Sequence, residues 1–212
     1  MTAGILSFGM RLVLASASPR RAELLTAAGF IFETCVADVD ESIRPGESPH
    51  DYVRRLAAEK ATATLARLKD ENPHALVIGA DTTVVVGDEI LGKPAGLAES
   101  ERMLRLLSGR SHTVLTGVAV RTGTVVESAV IETQVVFGVL SEEQVAWYVA
   151  SGEGLDKAGA YAIQGRASRF ITRIEGSYSN VVGLPVATVD ELIRTVASRS
   201  GVLASDVMSE LF

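Results

Sequence analysis

Cysteine is nearly missing from this 212-residue chain: Cys35 is the single one. No intrachain disulfide can form, and nothing argues for an oxidising compartment. Cys35 sits in an apolar run with Ile31, Phe32 and Val36, which reads as core, a catalytic thiol being the other reading. Long hydrophobic runs are absent too, none reaching the ~18 to 20 residues that a membrane span needs. Met1 to Leu14 carry only Arg11 and lack the charged start, apolar region and small-residue cleavage site of a secretion signal. A cytoplasmic protein with no membrane partner is expected. Cations are in the minority, 20 Lys and Arg against 26 Asp and Glu, which argues against a broad basic surface for duplex nucleic acid. The three histidines, His50, His74 and His112, show no metal-ligand spacing; His50 and His74 fall at helix edges, where exposure is the default. A Walker-type phosphate loop, a dinucleotide glycine fingerprint and a nucleophile-elbow serine are all lacking.

What is present is an ordinary globular composition, 47% apolar and 22% charged, with enough length for a substantial core. No internal repeat or linker divides it, so one domain over 1–212 is expected. Leu12 to Ala15 reads as a buried strand. Ser18-Pro19 then opens a helix that Gly29 stops. Phe30 to Ala37 reads as a second strand, followed by an acidic loop around Asp38, Asp40 and Glu41. Ser48-Pro49 starts a long helix to about Lys69. A third strand, Ala75 to Ala80, is expected to end at Asp81, with a tight hairpin from Thr83 to Leu91 after it. A helix from Ala98 to Leu107, two long strands (Thr113 to Thr122, Val125 to Phe137) and a capping-box helix at Ser141 follow. Leu155 to Pro185 is glycine-rich and mixed, and a last helix begins near Thr188. The alternation predicts an α/β fold with a mixed sheet.

Four charged features fit poorly with plain solvated surface. Arg20-Arg21 occupy the first turn of a helix, where the free N–H groups disfavour cations unless an anion docks there; two exposed arginines are the alternative. Lys60 falls on the apolar stripe Val53, Leu56, Ala57, Ala61, Leu65 and Leu68, so it either snorkels outward or meets an anion in a half-buried site. Asp81 follows an apolar strand, where open α/β sheets place their ligand crevice, though such aspartates also cap loops. Glu41 belongs to a solvated turn, or joins Asp81 in holding Mg²⁺. With Lys93 and Lys157 in glycine-rich segments, five candidate cations and two candidate metal carboxylates suit a polyphosphate ligand.

In this order, Leu14-Ala15-Ser16-Ala17-Ser18-Pro19-Arg20-Arg21, Asp40-Glu41, Ala58-Glu59-Lys60-Ala61, Gly79-Ala80-Asp81-Thr82, Gly92-Lys93-Pro94, Asp156-Lys157-Ala158-Gly159, Ile163-Gln164-Gly165 and Val182-Gly183-Leu184-Pro185 resemble the Maf family of nucleotide pyrophosphatases. The motif-bearing part runs over about 12–193. Many relatives carry a second glycine where this chain has Arg166-Ala167-Ser168. The resemblance implies an elongated mixed sheet with flanking helices and two lobes around a cleft, similar to the inosine-triphosphate pyrophosphatases. It implies metal-dependent (Mg²⁺ or Mn²⁺) hydrolysis of a nucleoside triphosphate to the monophosphate and diphosphate, as nucleotide-pool sanitation. By motif position Asp81 would be catalytic, and Glu41 and Asp81 would hold the metal. Ser16, Arg20, Arg21, Lys60, Thr82, Lys93, Lys157 and Gln164 would contact the substrate. The family's dTTP/UTP branch is similar at three places, with arginine at Arg20, threonine at Thr82 and glutamine at Gln164. A glutamine offers an acceptor and a donor together, matching N3–H and O4 or O2 of uracil or thymine. A homodimer is a further family expectation, with Val202, Leu203, Leu211 and Phe212 as contact material. The rival readings are a nucleotide-binding regulator of cell division with little turnover, and a phosphatase releasing orthophosphate from the γ position.

Overall fold

The computed structural model describes residues 11–36, 38–68 and 75–200. His74 and the apolar residues Val202, Leu203, Leu211 and Phe212 therefore lie outside the described residues, as does Lys69 at the expected end of the long helix. Strand β1 (Leu12–Ala15) is apolar and fully buried. It feeds helix α1 (Pro19–Ala27), whose proline stands at the helix start. Ser18 holds the N-cap place without a side-chain cap bond; the Ser16 hydroxyl instead accepts from the Ser18 N–H at 3.1 Å. Gly29, at φ +87°, turns the chain after the helix.

The expected strand from Phe30 to Ala37 is reduced to β2 (Glu33–Thr34). It is an edge strand on the four-residue β1, pairing only Val13 with Glu33 and Leu14 with Thr34, so little ladder exists to extend it. Helix α2 (Pro49–Leu68) follows. Strand β3 (Leu76–Val86) then crosses the molecule without a break, so Asp81 stands mid-strand and not at a strand end. The reason is visible in the pairing. One edge of β3 runs along β5 (Ser111–Arg121) from Val77 to Val85. The other edge pairs in parallel with β1 only up to Gly79, and with the hairpin strand β4 (Glu89–Leu91) only from Val84. Ala80 to Thr83 bridge the gap, where the partner strand changes direction.

Helix α3 (Leu97–Leu107), strand β6 (Val126–Phe137) and helix α4 (Glu142–Ala150) match the spacing read from sequence. Both capping-box bonds form, Gln144 N–H to Ser141 Oγ at 3.3 Å and Ser141 N–H to Gln144 Oε1 at 2.9 Å. The glycine-rich stretch holds 3₁₀ turns at Ala158–Ala160 and Arg166–Arg169, strand β7 (Ile171–Glu175) and short helix α5 (Tyr178–Val182). Helix α6 (Val186–Arg199) closes the described fold. The seven-stranded mixed sheet has the order β2-β1-β3-β5-β6-β7, with β4 paired to β3. α2 packs on one face through Val13, Val77 and Ala119 with Ala57 and Ala61. α6 packs on the other, through Leu12, Ile78 and Val118 with Val189 and Ile193. A further cluster gathers α3, α4, the far half of β3 and the aromatics Phe137, Tyr148, Tyr161 and Phe170.

The approach of α2 to the sheet is set by two glycines. A Cβ on Gly79 would lie 2.0 Å from the Ala57 carbonyl oxygen, and one on Gly117 would lie 2.2 Å from that of Val53. Helix backbone therefore rests directly on strand backbone. Gly117→Ala should cost about 3 kcal/mol or more, because the obstructing atoms are main chain and cannot rotate away. A shift of the urea midpoint at unchanged m-value measures it.

His112 is buried against the aromatic cluster on the other face of the sheet, its Nε2 2.9 Å from the Tyr161 hydroxyl and its ring edge-on to Phe137. Burial lowers its pKa to about 4. The unfolded chain takes up this proton near pH 6.5 and the folded chain does not, so stability falls as pH drops from about 6.5 to about 4. The loss attributable to His112 is about 3 kcal/mol. His112→Phe should flatten that part of the stability–pH curve in denaturation series at pH 7 and 4.5.

Candidate active site

Asp81 and Thr82 are consecutive in β3, so their side chains leave opposite faces of the sheet. On the α2 face, Asp81 is 8% exposed and receives a hydrogen bond from Lys60 Nζ at 2.7 Å. The same ammonium lies 2.6 Å from Glu41 Oε1. Lys60 does not snorkel past the apolar stripe; it bridges two carboxylates. Burial raises the Asp81 pKa, against the pull of Lys60 and Arg21. For Glu41 burial also acts upward, yet the bond and charge of Lys60, with Lys93 and Arg21 beyond, hold it below the usual carboxylate range. Two adjacent carboxyls are thus set apart by environment, the pattern that separates acid–base roles in active sites.

The loop that brings in Glu41 is fastened to the outer side of α2. Arg55 forks onto Glu47, Nε to Oε1 at 2.5 Å and Nη2 to Oε2 at 2.8 Å, and also donates to the Ser42 carbonyl and to Glu59. This pair is nearly covered, with side chains 11% and 8% exposed, and Arg55 draws the Glu47 carboxyl down to about 2. Tyr52 adds a bond from its hydroxyl to the Glu41 carbonyl at 3.0 Å. Burial, with the charges of Asp81 and Glu41 nearby, pushes that phenol up to about 12. Neither Arg55 nor Glu47 carries a signal in sequence, because the partners are joined across a loop and a proline.

On the opposite face, Arg21 is deeply placed. Its Nε donates to the Gly183 carbonyl at 2.8 Å, Nη1 to the Ala80 carbonyl at 2.8 Å and to Ser16 Oγ at 3.2 Å, and Nη2 to Thr82 Oγ1 at 3.0 Å. Thr82 continues the chain to Thr116 Oγ1 at 3.0 Å. Four donor contacts to protein tie α1, β3 and the turn after α5 together. Arg20 is the more open of the two arginines, 27% exposed, with Asp156 at 3.5 Å. Lys157 lies beside them, donating to Asp156 Oδ1 at 2.5 Å and to the Glu153 carbonyl at 2.8 Å. Lys93 is exposed, and its loop is pinned to the segment that carries Lys157 by the Gly159 N–H to the Gly92 carbonyl at 3.1 Å. Gln164 is exposed on the far wall.

All ten residues singled out from sequence line one cleft of about 950 Å³, together with Tyr52, Asp38, Arg67, Asp156 and Tyr161, which sequence reasoning did not assign. Asp81, Lys60 and Lys157 are the more covered charged side chains of this lining, Glu41, Arg20 and Lys93 are more open, and Val84, Val114 and Val182 contribute apolar surface. Such a lining suits a ligand with several anionic groups at one end and a flat polar ring at the other.

The family described as Maf-like protein matches residues 11–196. A dTTP/UTP pyrophosphatase of Geobacter sulfurreducens is 50% identical over 192 residues, covering 89% of this chain and 97% of that protein. One from Shewanella oneidensis is 52% identical over 189 residues, with coverage of 87% and 97%, and one from Symbiobacterium thermophilum is 54% identical over 176 residues, with coverage of 83% and 89%. Among solved structures, a nucleoside-triphosphatase / dITP/XTP pyrophosphatase from Mycobacterium abscessus aligns at 17% identity and a TM-score of 0.32, over 60% of this chain and 73% of that one. The family match spans the described sheet and every candidate residue in the cleft: the chain belongs to the Maf family.

Proposed function

We propose that the cleft hydrolyses dTTP, UTP and modified pyrimidine nucleoside triphosphates to the monophosphate and diphosphate. The observation that carries this reading is the buried Asp81 carboxylate, raised in pKa and set beside Lys60 and Glu41 beneath a cationic rim. The names of relatives at about half identity support it. Arg20, Lys93 and Lys157 receive the phosphates, with Lys60 at the reacting end. Asp81 Oδ1 is bonded to Lys60, so Oδ2 is the oxygen that orients a water and takes its proton. The water oxygen attacks the α-phosphorus, the bond from that phosphorus to the α–β bridging oxygen breaks, and diphosphate leaves with the electron pair. A carboxylate with a raised pKa is a better base than an exposed one. Positioning and charge neutralisation supply the rest.

The donor set fits a divalent cation. Two carboxylates already converge on one ammonium, and Mg²⁺ or Mn²⁺ accepts a pair of carboxylates completed by phosphate oxygens and water. Among the described residues no group of three or more His, Cys, Asp or Glu is gathered, and substrate and solvent oxygens would complete the set. Glu41 would hold the ion, and Asp81 would join it as a ligand in place of acting as the base; bound there, the ion would supply charge neutralisation on the phosphate oxygens. Gln164 reads the base through N3–H and O4 or O2. The protein acts as a homodimer in a single domain, and no helix among the described residues is long and apolar enough to cross a membrane.

The deciding experiment incubates the purified chain with Mg²⁺ and a panel of nucleoside triphosphates and identifies the products. Diphosphate with UMP or dTMP is expected, and Asp81→Asn should lose about 10²- to 10⁴-fold in turnover at unchanged folding. Orthophosphate release, binding without turnover, or preference for a guanine nucleotide overturns the reading.

Lys60→Met tests the bridge itself. Removing the ammonium leaves a buried carboxylate unpaired, so stability should drop by about 3 kcal/mol at neutral pH along with turnover. The sign with pH is fixed: a folded-state pKa above the unfolded one takes stability away as pH rises through it. Urea midpoints of wild type and variant should therefore converge below pH ~4 and separate above it.

A further inference from the structure

The segment from Ala162 to Arg166, which carries Gln164, runs between the two 3₁₀ turns. Its two ends are held by one neighbouring element. The Ala162 N–H donates to the Tyr148 hydroxyl at 3.0 Å. The Arg166 N–H donates to both oxygens of Glu153, at 3.1 and 2.9 Å. Tyr148 is the fully buried aromatic of α4, and Glu153 stands in the turn that follows that helix. Burial, against the pull of the Ala162 N–H and with the charge of Glu153 nearby, holds the Tyr148 phenol firmly protonated.

The space around Gly165 reports how closely this clasp grips. A Cβ there would lie 2.3 to 2.6 Å from the Glu153 carboxylate atoms, so the backbone beside Gln164 lies flat against the carboxylate. Any side chain at 165 would push that carboxylate off the Arg166 N–H. The residue after Glu153 is packed just as closely, since a Cβ on Gly154 would lie 2.0 Å from the Ala160 carbonyl oxygen. The Glu153 carbonyl also accepts from Lys157 Nζ at 2.8 Å. One residue thus fixes the base-side loop by its side chain and a rim cation by its main chain.

We infer that Glu153, with Tyr148, is a positioning residue for base discrimination: it sets the height and direction at which Gln164 meets the pyrimidine edge. Neither side chain lines the cleft, so both act through the loop and not on the substrate. The inference rests on the reading of Gln164 as the residue that meets the base. A pair of hydrogen bonds to a base edge tolerates little misplacement, and a loop freed at one end loses it. Charge-assisted bonds to the carboxylate make Glu153 the stronger of the two pegs.

The test measures kcat and KM for UTP and CTP with the full chain, for Glu153→Ala, Glu153→Gln, Tyr148→Phe, Gly165→Ala and Gln164→Glu, with a melting curve for each. CTP presents an amine and an unprotonated N3, so the ratio of kcat/KM for UTP over CTP reads the pairing with Gln164. Glu153→Ala should raise KM for UTP about tenfold and cut the UTP-to-CTP ratio by a similar factor, with kcat within about twofold. Glu153→Gln, which keeps one acceptor for the Arg166 N–H, should recover most of the ratio. Gly165→Ala displaces the carboxylate without removing it, and should reproduce the Glu153→Ala effect if that variant does not fold. A lowered melting temperature with an unchanged UTP-to-CTP ratio makes Glu153 merely structural and overturns the inference. If the ratio shifts in Gln164→Glu but not in the Glu153 and Gly165 variants, the inference fails and the reading of Gln164 stands. If it shifts in none of them, that reading falls first and takes the inference with it.

Discussion

Contact between the backbone of α2 and the sheet sets the distances on which the rest of the site depends. Helices usually ride on strands through side chains; here Gly79 and Gly117, in neighbouring strands, remove that spacer. Ala57 and Ala61 keep the helix side equally thin. The helix comes low enough for Lys60, flanked by those alanines, to reach down to Asp81 and sideways to Glu41. The outer side of α2 holds Arg55, whose fork onto Glu47 fastens the acidic loop. One helix therefore fixes both carboxylates, one from the sheet beneath it and one from the loop beyond it.

Charge within the cleft follows a consistent division. Cations that are deeply placed are already matched: Lys60 by two carboxylates, Arg21 by two carbonyls and two hydroxyls. This is what burial of charge demands, since an unpaired ion would cost several kcal/mol. Arg20 and Lys93 are more open, Arg20 lying 3.5 Å from the exposed Asp156 and Lys93 being exposed itself. Arg20 and Arg21 are neighbours in sequence and both stood as anion-binding candidates; the geometry gives Arg21 the added task of joining Ala80, Thr82 and Gly183.

Much of this was legible in the sequence where a residue conflicted with its local pattern. Lys60 stood on an apolar stripe, and its resolution as a bridge to Asp81 and Glu41 is one of the two outcomes that conflict allowed. Ser18-Pro19, Ser48-Pro49 and the capping box at Ser141 placed three helix starts within a residue or so. Asp81 misled because a charge after an apolar run resembles a strand terminus. The strand instead continues, and the charge is tolerated where β1 has ended and β4 has not begun. The short β2 and the missed β7 share a cause: both are outer strands whose pairing is decided by a neighbour and leaves little trace in their own residues. Arg55 with Glu47, and Tyr148 and Glu153 with the Gln164 loop, are held by tertiary contacts that no spacing rule anticipates.

The alternation of β3 has a consequence for how substitutions combine. Asp81 and Thr82 share a peptide bond, yet one faces Lys60 under α2 and the other faces Arg21 and Thr116 beneath the α1 side. Energetic coupling follows contact and not sequence, so changes at 81 and 82 should be nearly additive. Residues 60 and 81, twenty-one positions apart, should be strongly non-additive. The two faces of one strand can therefore be altered as if they belonged to different proteins.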